Sequence, residues 1–199
     1  REIKQRGLVQ HHDGFPVYVD SPLAIEATSI FLQCDPDIFD DETRAVLKQG
    51  VNPIYFSDLH TTVTSDESRQ INFNPEPKVI ISASGMCEAG RIRHHLKHNL
   101  WREDSTILFV GYQAVGTLGR AIYEGADTVK LFGEEVAVHA EVTYIPGISG
   151  HADKQGLLDW MAGFQKKPGI VFVNHGEDEV TDLFAKTLAD TFGFETCAP

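Results

Sequence analysis

Two histidines in this chain stand where strand-like runs give way to helix-like ones, the place where α/β proteins carry out chemistry. His151 lies in Gly147-Ile148-Ser149-Gly150-His151-Ala152-Asp153, after the apolar run 142–145, and His175 lies in Val173-Asn174-His175-Gly176-Glu177, after 170–173. Behind His151, Leu157, Leu158, Met161 and Phe164 recur at helical spacing; behind His175, Val180, Leu183, Phe184 and Leu188 do the same. An imidazole titrates near neutrality, so it can move a proton, face an anion or ligate a metal. Ligands of open α/β sheets sit beyond the carboxyl ends of the strands, so both histidines are expected at one edge of one sheet.

The elements that must position them are legible as short β-branched runs at 16–20, 78–82 and 106–110, continuous in the manner of buried parallel strands. Helix-like segments at 24–33, 41–49, 88–101 and 118–124 separate them, an alternation that predicts βαβ units and a parallel sheet. Ser21-Pro22 suits a helix N-cap and first turn. Residues 128–142 alternate instead and predict a hairpin around Gly133 to Glu135, while 72–78, with Pro75 and Pro77, predicts a connecting loop. The α/β class follows from this pattern.

Composition narrows the function. The chain has 199 residues, 42% of them hydrophobic, enough to bury a core. It carries no run long enough to span a membrane and no apolar signal core near its first residues. The three cysteines, Cys34, Cys87 and Cys197, are too few and too scattered for a disulfide scaffold and point to a reducing, cytoplasmic setting. A net charge of −12 excludes a protein that coats nucleic acid through its whole surface, though not one with a local cationic groove. The densest cationic run is Arg91-Ile92-Arg93-His94-His95-Leu96-Lys97-His98; on a helix, Arg91, His94, His95 and His98 share one face, most simply a solvated one.

Two glycine-bearing turns follow strands in the middle of the chain: Ser82-Ala83-Ser84-Gly85-Met86, and Gly111-Tyr112-Gln113-Ala114-Val115-Gly116-Thr117-Leu118-Gly119-Arg120. Glycines let a backbone approach an anion, and a following helix start offers free N–H groups. The second turn has neither the dinucleotide-binding glycine pattern nor a Gly-Lys-Ser/Thr ending. Asp20 reads as a helix-start residue rather than a catalytic acid, and Glu177-Asp178-Glu179 as a helix-start charge pattern.

Taken in order, Asp20-Ser21-Pro22-Leu23-Ala24, the Ser82 and Gly111 turns, Ser149-Gly150-His151-Ala152-Asp153 and Asn174-His175-Gly176-Glu177 resemble the β-CASP branch of metallo-β-lactamase-fold nucleases. The likeness runs through nearly the whole chain and is to RNA-specific members, similar to the cleavage and polyadenylation specificity endonucleases. It implies a parallel-sheet β-CASP domain with helices on both faces over residues 1–146. The C-terminal part of a metallo-β-lactamase αββα domain would follow over 147–199. The family's His-x-His-x-Asp-His zinc motif is absent, and His11-His12-Asp13 is no substitute, so the resemblance implies a fragment without the first half of the active site.

What the resemblance implies for function is a zinc-dependent ribonuclease hydrolysing phosphodiester bonds of single-stranded RNA. The parent would hold two zinc ions per site, this chain alone none tightly. His175 matches a zinc ligand, its second nitrogen held by Glu177 or a backbone group. His151 matches the histidine at the scissile phosphate, with Ser149 and Gly150 cradling that phosphate. Ser82, Ser84, Gly85, Gln113 and Arg91 are candidate RNA contacts, with internal turn bonding an equal reading for Ser82, Ser84 and Gln113. Tyr112 is read as a buried aromatic before a base-stacking one. The expected partners are RNA and the chain's own N-terminal metallo-β-lactamase half, with no membrane; a homodimer stays open. The rival readings are a non-catalytic RNA-binding module of the same descent and a small-molecule hydrolase, the latter disfavoured by so large an insert. A histidine at position 175, where DNA-directed relatives tend to carry valine, disfavours DNA.

Overall fold

The structure, a computed structural model, describes residues 6–9, 14–148 and 150–199. His11, His12, Asp13 and Ser149 therefore lie outside the described residues. Those up to Ile148 form one compact unit and those from Gly150 onward a second.

The first unit begins with β1 (Val17–Asp20), which runs parallel between β2 (Leu59–Thr61) and β3 (Val79–Ser82). Ser21 then caps α1 (Pro22–Gln33), accepting from the Ala24 N–H at 3.3 Å, with Pro22 in the first turn where no N–H is missed. The Asp40 side chain caps α2 (Asp41–Lys48), accepting from Thr43 N–H at 2.7 Å. Thr64 and Glu67 form a reciprocal capping box at the start of α3 (Ser65–Phe73). Neither α3 nor β2 was expected from apolar periodicity. The 88–101 helix is shorter than its pattern suggests, since α4 spans Ile92–Asn99. Residues 84–91 fold instead into a turn in which Gly90, at φ +79°, packs so closely that a Cβ would lie 2.5 Å from the Ala83 carbonyl oxygen.

The third expected strand, β4 (Thr106–Phe109), does not join this sheet. It pairs in parallel with β7 (Glu141–Tyr144). Between them come α5 (Leu118–Tyr123) and the antiparallel hairpin of β5 (Thr128–Leu131) and β6 (Glu134–Ala137). The hairpin turns through Phe132 and Gly133, both at positive φ, as a two-residue loop matched to strand twist requires. The run 128–142 is thus one hairpin and one parallel strand, separated where the N–H groups of His139 and Ala140 both donate to the Leu100 carbonyl. The unit's apolar core gathers Leu96 and Leu100 of the α4 region, Phe109, Ile122, Val129, Leu131 and Val136.

The second unit is α6 (Lys154–Ala162), β8 (Val171–Phe172), α7 (Asp178–Phe192) and β9 (Thr196–Cys197), with β8 and β9 parallel. Gly193, left-handed at φ +65°, ends α7 and returns the chain to β9. Among the described residues no helix is long and apolar enough to cross a membrane. Ile122 is fully buried at the centre of the first unit's core. Ile122→Ala should therefore cost about 2–5 kcal/mol, measured as a lowered urea midpoint with unchanged slope; a loss below about 1 kcal/mol would contradict this packing.

Candidate functional site

In the second unit, β8 is extended at both ends by backbone bonds, Val171 N–H to Glu195 O and Val173 N–H to Cys197 O, each 2.8 Å. The chain then leaves the strand through His175, an exposed residue at φ +64°. Gly176 follows, so close to α7 that a Cβ would lie 2.9 Å from Thr181 Cγ2. His175 lines a largely apolar concavity of about 460 Å³ with Lys154, Leu157, Trp160, Val180 and Leu183 among its neighbours. His151 is exposed in the segment ahead of α6, where Asp153 caps the helix by accepting from Gly156 N–H at 2.7 Å. Gly150 is exposed beside it, with open space about its Cα.

Each histidine follows a strand with a parallel partner in its own unit or the one before it. The strand before His151 is β7, partnered by β4, whereas β8 before His175 is partnered by β9. Two short apolar runs look alike in sequence, and pairing partners are decided by contacts far along the chain. A zinc site needs three or four converging ligands. Among the described residues no three His, Cys, Asp or Glu side chains converge to hold a metal. His175 stands as a single candidate donor.

The first unit brings the two glycine-bearing turns together. Gln113 is buried, and its amide NH2 donates to the carbonyls of Gly85, Gly111 and Tyr112 at 3.0–3.1 Å. A nitrogen facing three carbonyls settles the amide's orientation. Its oxygen is buried without a partner, and a Cβ on Gly119 would lie 1.9 Å from it. Ser82 Oγ donates to the Asp20 carbonyl at 2.9 Å, and Ser84 Oγ accepts from Ala89 N–H at 3.3 Å. Gln113, Ser82 and Ser84 are thus engaged within the turns, and Gly85 stays exposed between them. Cys87 is no nucleophile: burial, with the charge of Glu88, pushes its thiol up to about 11.

The cationic run is not a solvated face. Arg91 turns inward, Nη1 donating to Asp20 Oδ1 at 2.7 Å and to the Thr62 carbonyl at 3.0 Å, Nη2 to the Val63 carbonyl at 2.8 Å. His95 is buried, its Nε2 2.6 Å from Asp20 Oδ2 and its Nδ1 2.8 Å from Asn72 Oδ1. His94 stacks on Phe132 with centroids 4.5 Å apart, and His98 meets the edge of Phe73. Asp20, fully buried, also accepts from Ser68 Oγ at 2.6 Å and from Thr62 Oγ1. This carboxylate hub was missed as a site from sequence, where Asp20 reads as a helix-start residue; no local signal reveals partners at positions 62, 68, 91 and 95.

Burial alone would raise the Asp20 pKa, but bonds from Ser68, Thr62, His95 and Arg91 outweigh it and hold the carboxyl below its ordinary 3.8. Burial pushes His95 below its ordinary 6.5 despite the pull of Asp20, and the charges of His94 and His98 add to the lowering. A neutral His95 serves Asp20 when Nε2 carries the proton.

Parallel strand pairs joined through helices place the chain in the α/β class. Residues 1–122 match the Beta-Casp domain, and residues 135–199 match the Zn-dependent metallo-hydrolase RNA specificity domain. The chain belongs to the β-CASP family. It is 39% identical to Ribonuclease TTHA0252 of Thermus thermophilus over 174 residues, covering 87% of this chain and 39% of that protein. It is 33% identical to Transcription termination factor FttA of Methanosarcina mazei, covering 99% of this chain and 31% of the relative. The same factor from Pyrococcus abyssi is also 33% identical, over 92% and 29% of the two chains. The chain thus spans between 29% and 39% of the length of these relatives.

Two outcomes follow from the Asp20 hub. Asp20→Ala leaves Arg91 and His95 without their buried partner and should cost about 3–5 kcal/mol, read as a lowered denaturation midpoint. As pH falls below His95's ordinary 6.5, the unfolded chain binds a proton that the folded chain refuses, so stability declines. Asp20's contribution is present above 3.8 and is lost only at still lower pH, as pH falls through its depressed folded value. His95→Gln should therefore flatten the decline between about pH 7 and pH 5, leaving the share of His98, whose pKa is also lowered, by burial first and then by Lys97 and His94. An unchanged slope in the variant would contradict the neutral, buried His95.

Proposed function

We propose that the protein is part of a zinc-dependent ribonuclease that hydrolyses phosphodiester bonds of single-stranded RNA. The observation that carries this reading is the match of residues 135–199 to an RNA specificity domain of zinc-dependent metallo-hydrolases. A ribonuclease among its relatives supports it. In this reading the β-CASP portion, residues 1–146, clamps RNA, and the returning segment 147–199 carries the chemistry. His151, exposed ahead of α6, faces the scissile phosphate; as imidazolium it offsets phosphate charge or protonates the leaving oxygen. Ser149 and Gly150 flank that phosphate. His175 supplies one zinc ligand through a neutral ring nitrogen. The other ligands come from an N-terminal metallo-β-lactamase half, for which the greater length of the relatives leaves room.

The exposed face beside His175 supports such a companion half. Trp160 and Leu183, 65% and 64% exposed, and Val180 flank the concavity there. Burying Trp160 or Leu183 against a partner would contribute roughly 1.5–3 kcal/mol each. The free thiols of Cys34, Cys87 and Cys197 suit a cytoplasmic setting.

The test is cleavage of a labelled single-stranded RNA by the protein joined to its upstream half, with zinc and with chelator. Chelator should abolish cleavage, and His151→Ala should slow it by about 10²–10⁴-fold while the zinc content stays the same. The chain of 199 residues should not cleave by itself. Cleavage unaffected by chelator would sink the metal reading, and absence of cleavage in a folded, zinc-loaded protein would leave a non-catalytic RNA-binding module.

A further inference from the structure

One concavity of the first unit has no part in that reading. Beyond the carboxyl ends of the parallel pair β4–β7, a cleft of about 260 Å³ is lined by Gly111, Tyr112, Gln113, Arg120, Tyr123 and Tyr144. Clefts for drug-sized ligands run from roughly 300 to 1,000 Å³. This one has room for a single flat ring with part of its sugar and not for a dinucleotide.

Its walls are aromatic and held in place. Tyr123 meets Tyr144 edge to face with centroids 5.9 Å apart, and meets Phe109 edge-on at 6.3 Å. Even so, Tyr123 and Tyr144 stay 47% and 39% exposed, and Tyr112, which the sequence reading placed in the interior, is 56% exposed. Apolar surface clustered in a concavity marks a binding site more often than scattered exposed rings do. Arg120 stands in the same cleft, its Nε donating to Glu124 Oε1 at 2.6 Å and its Nη1 to the Gln113 carbonyl at 3.2 Å. A guanidinium fixed in this way is a planar cation suited to stacking on a base or facing a phosphate oxygen. The Gln113 amide pins the cleft's floor to the Gly85 turn.

We propose that this cleft seats one base of a single-stranded RNA, stacked on the tyrosine rings with its adjoining phosphate towards Arg120. The proposal rests on the RNA reading above and adds a subsite to it, at the carboxyl edge of β4–β7. A net charge of −12 denies the chain a general attraction for a polyanion. Its hold on RNA then needs contacts that work without bulk charge, and stacking is one.

The test is photocrosslinking of the chain to a single-stranded RNA carrying 5-iodouridine, with the adducts mapped by mass spectrometry, alongside titration with the same RNA. Adducts are expected on Tyr112, Tyr123 or Tyr144. Tyr144→Phe, which keeps the ring, should bind as the parent does. Tyr144→Leu and Tyr112→Leu should each bind roughly 5- to 150-fold more weakly, the ~1–3 kcal/mol of one stacked base. Tyr112 is the more exposed ring, so its replacement also covers the case in which Tyr144→Leu unfolds the chain. Adducts only at other positions, or leucine variants that bind normally, overturn the base seat and leave the RNA reading standing. Absence of any binding or adduct overturns both. Self-association of the chain that Tyr112→Leu abolishes would make the cleft a protein interface and overturn the seat.

Discussion

A single buried carboxylate organises the first unit. Asp20 ends β1 with no exposed surface and receives Arg91, Thr62, Ser68 and His95 from segments otherwise separate in the chain. A carboxylate out of water is tolerable only when its lone pairs are filled and its charge is offset, and here four donors fill them while Arg91 supplies the opposite charge. The same guanidinium bonds the carbonyls of Thr62 and Val63, so the chain between β2 and α3 is held against α4 by the group that neutralises Asp20. Ser82 bonds the Asp20 carbonyl, which ties the start of the first glycine-bearing turn to the same point. Gln113 then joins that turn to the second. Both turns are thus linked by hydrogen bonds to the strand end that carries Asp20.

That hub was not legible in the sequence, and the reason is physical. Asp20-Ser21-Pro22 carries a strong local meaning, helix initiation, and the cap is indeed present; the additional long-range role leaves no local trace. The run Arg91 to His98 carries helical periodicity in its cations, but periodicity cannot say which face meets a buried acid. Apolar periodicity found β1, β3, β4 and the helices about them, because those elements bury apolar residues. It passed over α3, whose mean composition is polar, although Thr64 and Glu67 spell a capping box three residues apart. It overextended α4, because Gly90 reads as an ordinary residue until its contact with Ala83 is seen. The motifs resembling the β-CASP branch named the family, since each records a turn whose chemistry is local. Pairing of β7 with β4, and of β8 with β9, depended on partners the motifs do not encode.

The two units divide their work in a way their energetics reflect. The first spends its polar residues on internal bonds and its apolar residues on a core around Leu96, Leu131 and Ile122. The second buries few residues, Met161, Thr181, Ala185 and Leu188, and leaves Trp160, Phe172, Val180 and Leu183 largely exposed. Contiguous apolar surface of this kind is characteristic of faces that another surface covers. His175 stands at the rim of that face in a left-handed turn. A side chain presented there belongs to whatever is assembled across the face as much as to the unit that carries it. That is why a one-ligand inventory within this chain is compatible with a metal site in a larger protein.

On the proposed reading, an acidic chain has to hold a polyanion. The chain's net charge is −12, and six of its cations, Arg44, Arg69, Arg91, Lys97, Arg102 and Arg120, each lie within an ion pair. Their fields largely cancel beyond about a Debye length, roughly 8 Å at physiological salt, so long-range steering of the strand is weak. Contact forces remain. Exposed tyrosine rings around a cleft, a braced guanidinium within it and backbone donors in glycine-bearing turns all act at van der Waals or hydrogen-bond distance. A grip assembled from such parts releases few counterions and reads little sequence. It positions a strand through the shape of the cleft rather than through charge.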